Sequence, residues 1–100
     1  MLKLKKSMKL EIISPEATLY LGDATAVALP GVDGSFQLLE NHAPIVSILQ
    51  EGEVRLKGFD VKKVPSSFAH LFSTNGAETV LSIKSGTVEM KQNNLVLLVD

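Results

Sequence analysis

One hundred residues, 45% of them apolar, suffice for one domain with one core. A net charge of −1 gives no basic excess of the kind nucleic acid selects, and zero cysteines exclude disulfides and thiolate metal sites. No apolar stretch approaches the roughly eighteen residues of a membrane span, and the longest, Leu95 to Val99, has strand length.

The chain opens on MLKLKKSM, with lysines but no apolar stretch of the kind a signal peptide needs. Residues 1–8 read as a flexible, solvated extension. From Lys9 onward, turn signals recur at short intervals. They fall at Ser14-Pro15, Gly22-Asp23, Pro30-Gly31 with Asp33-Gly34, Asn41 to Pro44 and Glu51-Gly52, then at Lys57-Gly58, Asn75-Gly76, Ser85-Gly86 and Asn93-Asn94. The segments between are short and rich in Val, Ile, Leu and Thr. That cadence predicts an all-β domain, an antiparallel sandwich or barrel. Leu10 and Ile12 alternate with Lys9 and Glu11, Val54 and Leu56 flank Arg55, and Val88 and Met90 flank Glu89. Each pattern gives one buried and one wet face.

Gly31 and Gly34 permit positive φ around Val32-Asp33, so a tight turn is expected there. The short strand Ser35 to Leu39 separates this turn from a second loop, Asn-His-Ala-Pro at 41–44, at its other end. Asn41 tolerates unusual backbone angles, and Pro44 holds Ala43 extended. The loop is therefore a rigid corner suited to contact.

Lys57 to Glu78 breaks the cadence and holds three of the four phenylalanines. Phe68, Leu71 and Phe72 are spaced for a short helical turn, with Ser66 or Ser67 as N-cap. Such apolar content either pads the sandwich or forms a contact patch. Leu95 to Val99 is apolar at every position, which predicts a strand covered on both sides.

Candidate chemistry is sparse. His42 has only Glu40 nearby and His70 has no close ligand, so a metal centre is not expected. No serine sits in a G-x-S-x-G elbow, and no phosphate-cradling glycine pattern occurs. Glu51 and Glu53 straddle a turn glycine, where solvated charge is the ordinary reading. His42 either shapes its loop by hydrogen-bonding backbone or touches a partner from an exposed tip. A catalytic role ranks third.

The stretch from Ser14 to Leu56 closely resembles the epsilon subunit of F-type ATP synthases. The family's opening segment is matched by Ser14, Pro15, Glu16, Leu19 and Gly22. Its glycine-rich and His-Ala-Pro segment is matched by Leu29, Pro30, Gly31, Gly34, Phe36, Leu39, Asn41, His42, Ala43, Pro44, Ile45, Val46, Leu49, Gly52, Val54, Arg55 and Leu56. Near the end, Ser85, Gly86, Val88, Glu89, Asn94, Val96, Leu98 and Asp100 match again. Two departures stand out. The family usually continues into a helical hairpin, whereas this sequence stops at Asp100, so neither ATP binding nor inhibition of hydrolysis carries over. Residues 57–81 are also longer than the family's usual hairpin there, and read as an insertion in a domain covering 9–100.

The resemblance implies a flattened sandwich of about ten strands at the foot of the central stalk. It implies a non-catalytic rotor subunit with no cofactor, bound to the gamma subunit and resting on the polar loops of the c-ring. Its place would be peripheral, on the cytoplasmic face of the inner membrane, without direct insertion. On the family pattern Gly34, Ser35, Asn41 and His42 face the c-ring, and Ser14, Val46 and Ser47 face gamma. Val46 is also readable as core, and Ser14 as a residue that merely ends a strand. A small ligand-binding β-domain, for instance a carbohydrate module, is the competing class. The lack of Trp and the single Tyr argue against it, and a hydrolase lacks its nucleophile and base.

Overall fold

The computed structural model describes residues 6–100, so the first five residues of the expected extension lie outside the described part. The chain forms ten strands: β1 Met8–Ile13, β2 Thr18–Ala24, β3 Ala26–Gly31, β4 Gly34–Leu39, β5 Ile45–Leu49, β6 Gly52–Lys57, β7 Phe72–Asn75, β8 Glu78–Ile83, β9 Gly86–Lys91 and β10 Asn94–Val99. Met8 opens β1 and is buried, so the ordered domain begins ahead of the expected boundary at Lys9.

The strands hydrogen-bond in the order β2-β1-β10-β9-β5-β3-β6-β8-β7, with β4 on the free side of β3. Between β5 and β3 the link is a single pair, Gly31 with Leu49. There the sheet folds over into two five-stranded layers, β2-β1-β10-β9-β5 and β4-β3-β6-β8-β7. The extents of 43 × 31 × 23 Å give the expected flattened shape.

Alternation does most of the folding work. Leu10, Ile12, Val88, Met90, Leu95 and Leu97 from the first layer meet Val27, Leu29, Leu38, Val54, Leu56, Leu81 and Ile83 from the second. All are buried, as close-packed facing sheets require. One pairing departs from the antiparallel expectation: β1 runs parallel to β10, Lys9 opposite Asn94 through Ile13 opposite Leu98. Hydrophobic period two is blind to strand direction, so the sequence pattern could not report it.

Gly34 has φ +123°, a region open to glycine. Gly31 does not need positive φ. It is required for space, because a Cβ there would lie 2.7 Å from the Gly34 carbonyl oxygen and 2.8 Å from the Phe36 ring.

The segment after β6 forms the expected short helical element as a 3-10 helix at Ser66–Leu71, preceded by a second 3-10 turn at Val61–Lys63. The expected serine cap is not formed: Pro65 holds the cap position without a side-chain bond, and the Phe68 N–H donates to the Pro65 carbonyl. Phe72 leaves the helical register to start β7, which hairpins into β8. The rest, residues 58–71, forms a strap beside β2 and β7, the edge strands of the two layers. Phe59 stacks between Tyr20 of β2, at 4.0 Å between ring centroids, and Phe72 of β7, at 5.3 Å. Val64 is buried, and Phe68 packs on the core. The Tyr20 hydroxyl donates to the Asp23 carbonyl at 2.7 Å and accepts the Asp60 N–H at 3.4 Å. Of the two readings of this apolar segment, padding is the better supported.

Candidate docking surfaces

The strand registers arrange the outward side chains of the first layer into rows. One row reads Leu21, Glu11, Val96, Glu89, Val46, and the next Thr18, Ile13, Leu98, Thr87, Ile48. Val46 is 74% and Ile48 61% exposed, and Leu21 and Leu98 are exposed as well. The strand Leu95–Val99 is therefore buried on one side only. Leu95, Leu97 and Val99 face the core, while Leu98 is open to solvent and Val96 half-buried. The expectation of a strand covered on both sides fails among the described residues, because none of their segments crosses the outer face of β10.

The outer face of the second layer is different in kind. Glu53, Arg55 and Lys57 of β6 lie opposite Ser82, Val80 and Glu78 of β8. Arg55 bridges Glu53 at 3.0 Å and Glu78 at 3.2 Å. Such exposed pairs add little stability, but they leave this face largely polar, with Leu39 of β4, among the described residues, as its one strongly exposed apolar side chain. An uncovered apolar sheet face of the first kind marks a contact surface.

Of the residues assigned to gamma by resemblance, only Val46 points straight out from this face, which removes its reading as core. Ser47 lies opposite the buried Val88, so strand alternation turns it toward the interior side, where it is half-buried. Ser14 shapes its turn: its Oγ donates to the Ala17 carbonyl at 3.1 Å and accepts the Glu16 and Ala17 N–H groups. It also borders an open groove of about 440 Å³ whose wall includes Ile13, Ile48 and Leu98, continuous with the apolar rows. Ile48, Leu98 and Leu21 were missed in the sequence. The signal that could have found them is the i+2 step from Val46 to Ile48 beside a strand apolar at every position.

Gly34 and Ser35 begin β4, while Asn41 and His42 follow its end, so the four c-ring candidates do not share one loop. They lie at opposite ends of a six-residue strand, about 17 Å apart at 3.3 Å per residue. What unites them is the β4 edge, which pairs with β3 alone. The Asn-His-Ala-Pro corner is rigid, as expected. Asn41 has φ +59°, and its N–H donates to Asn93 Oδ1 at 2.8 Å. Asn93 Nδ2 in turn donates to the Ser7 carbonyl at 3.0 Å. His42 Nδ1 lies 2.7 Å from the Ala43 carbonyl, a contact in which the ring N–H donates, and the side chain is exposed. The loop-shaping reading of His42 matches this contact, and the ring also stands exposed at the tip.

Among the described residues no cluster of three His, Cys, Asp or Glu side chains is arranged for a metal, and no helix is long and apolar enough to cross a membrane. The aromatic rings, Tyr20, Phe36, Phe59, Phe68 and Phe72, are all buried or half-buried, so none is presented for stacking on a sugar.

A family model described as the beta-sandwich domain of the ATP synthase delta/epsilon chain matches residues 7–100. The sequence is similar to the ATP synthase epsilon chain of Chlorobium limicola, 34% identical over 95 residues that cover 95% of this chain and 91% of that one. It is also similar to the epsilon chain of Leptospira interrogans, 33% identical over 93% of this chain and 61% of that one. In solved structures, a chain of the Tetrahymena thermophila mitochondrial ATP synthase central stalk and c-ring superposes with a TM-score of 0.65 at 13% identity, covering 97% of this chain and 66% of that one. A chain of the Euglena gracilis mitochondrial ATP synthase OSCP/F1/c-ring assembly gives 0.70 at 11% identity, covering 97% and 52%. At such identities these two likenesses speak for the fold.

Proposed function

Because the chain belongs to the delta/epsilon-chain β-sandwich family of ATP synthase, we propose that it is a non-catalytic rotor part of the central stalk, linking the gamma subunit to the c-ring. The observation that carries this reading is the set of exposed apolar side chains on the outer face of the first layer, beside a second layer whose outer face is largely polar. A folded domain that leaves Val46, Ile48, Leu98 and Leu21 in water has a partner for them. Gamma takes this face, with Val46 at its β5 side and Ser14 at the groove that continues it. The β4 edge, from Gly34 and Ser35 to Asn41 and His42, meets the polar c-ring loops.

Mechanically, the domain is a stiff wedge. Two cross-tied layers around a close-packed core resist shear, so torque passes between ring and shaft without a reacting group in this chain. It works as a peripheral part of the membrane-associated complex, on the cytoplasmic side. A carbohydrate-binding role gains nothing from the structure, since its rings are turned inward.

Co-purification with the gamma subunit of the same organism tests the reading. Stable association is expected, and a Val46→Thr/Ile48→Thr variant, which keeps β-branching, should weaken it about tenfold. A folded chain that ignores gamma, or that turns over a substrate unaided, would overturn the proposal.

A further inference from the structure

The first layer's outer face carries charge as well as apolar surface, and the registers sort both into bands. Nearest the Asn93 turn lies a basic row: Lys9 of β1 and Lys91 of β9, with Asn94 between them and Asp23 beyond Lys9 on β2. One step along the strands lies the acidic row, Glu11 and Glu89 with Val96 between them, flanked by Leu21 and Val46. One step further is the row of Ile13, Leu98 and Ile48, free of charge.

Glu11 and Glu89 sit on strands that flank β10, about 10 Å apart at the usual strand spacing. Lys9 and Lys91 are similarly separated. Among the described residues none of these four takes part in an ion pair; the ion pairs there all involve Arg55, on the opposite layer. The Lys and Glu of one strand stand two residues apart on the same face, near enough to attract but not joined. Unpaired charges in two opposed rows beside an apolar band form a directional pattern. Only one orientation of a partner matches all three bands.

We propose that this banding sets the orientation in which gamma docks: basic side chains of gamma lie over Glu11 and Glu89, acidic ones over Lys9 and Lys91, and apolar ones over Ile13, Leu98 and Ile48. The inference rests on the assignment of this face to gamma. Charges at and near the rim of such an interface act on encounter rate and on rejection of wrong alignments, while the apolar band holds the complex once aligned. The salt dependence of association therefore reports the bands separately from the apolar contact.

The test measures affinity for purified gamma at low and high salt with five versions of the chain: the native one, three charge variants and Val46→Thr/Ile48→Thr. The Glu11→Lys/Glu89→Lys and Lys9→Glu/Lys91→Glu variants each reverse one row. The quadruple variant reverses both and restores the net charge of the native chain. Each double variant is expected to bind at least tenfold more weakly at low salt, with a smaller difference at high salt. The quadruple variant should stay at least as weak, because its bands are in the wrong order although its total charge is unchanged. Circular dichroism confirms that these surface variants remain folded. A quadruple variant that binds like the native chain would overturn the proposal, since only net charge would then matter. Native affinity in all three charge variants, with loss only in Val46→Thr/Ile48→Thr, would also overturn it while leaving the docking face in place. Native affinity in every variant, or no binding by the native chain, would remove the docking assignment and the banding together.

Discussion

The strap at residues 58–71 and the outer face of the first layer both carry apolar side chains beyond those of the shared core, yet they use them in opposite ways. The strap spends Phe59, Val64 and Phe68 within the chain, across the gap between β2 and β7. The outer face does not: among the described residues Val46, Ile48 and Leu98 stay exposed to solvent. Apolar content alone therefore does not mark a docking surface. What marks it is apolar content that the chain's own topology cannot reach. Strap substitutions should accordingly act on stability, and face substitutions on binding.

The largest effect is expected from Phe59→Ala. Losing a ring held between two others should cost about 2 kcal/mol of stability, below the roughly 3–5 kcal/mol of a fully buried phenylalanine because Phe59 is half-buried. Urea unfolding measures it, and a loss under about 0.5 kcal/mol would show that the strap is an ornament. The face provides the opposite case. Val46→Thr/Ile48→Thr should leave the urea midpoint nearly unchanged while gamma affinity falls about tenfold, equivalent to about 1.4 kcal/mol. A collapse of stability there would erase the distinction between the two regions.

Tyr20→Phe removes the hydroxyl that ties Asp23 to the strap and should cost about 1 kcal/mol. Burial, and to a lesser degree the nearby Asp23 and Asp60 carboxylates, push the Tyr20 phenol above its ordinary value of 10.0. With the folded value above the unfolded one, this contribution is whole below about pH 10 and drains away as pH rises through the folded value. Unfolding experiments between pH 9 and 11 should show the native chain losing stability, and Tyr20→Phe losing less, if other groups act alike in both. The smallest effect belongs to His42→Ala. An exposed ring bonded to the next carbonyl buries little, so stability should stay within about 0.5 kcal/mol of native.

Much of the body was legible in the sequence. Turn residues and period two marked an all-β chain, and the Asn-His-Ala-Pro corner declared its own geometry through Asn41 and Pro44. What stayed hidden depends on distant segments meeting. Leu95 to Val99 reads as a strand buried on both sides because composition records hydrophobicity, not who provides the cover. The strap's path follows from a stack of three rings that are far apart in sequence. For the contact residues, resemblance grouped Val46 with Ser47, but strand alternation sends adjacent side chains to opposite faces, and Ser14 is spent on its own turn.

The pairing of β1 with β10 has a consequence for biogenesis. During synthesis the first strand has its inner neighbour only once the last has left the ribosome, more than eighty residues later. Contacts of such long range form slowly. The first layer cannot knit until then, and its rows of side chains cannot exist in a half-made chain. A nascent chain that lacks β10 therefore has β1 without its inner neighbour, and the first layer stays incomplete.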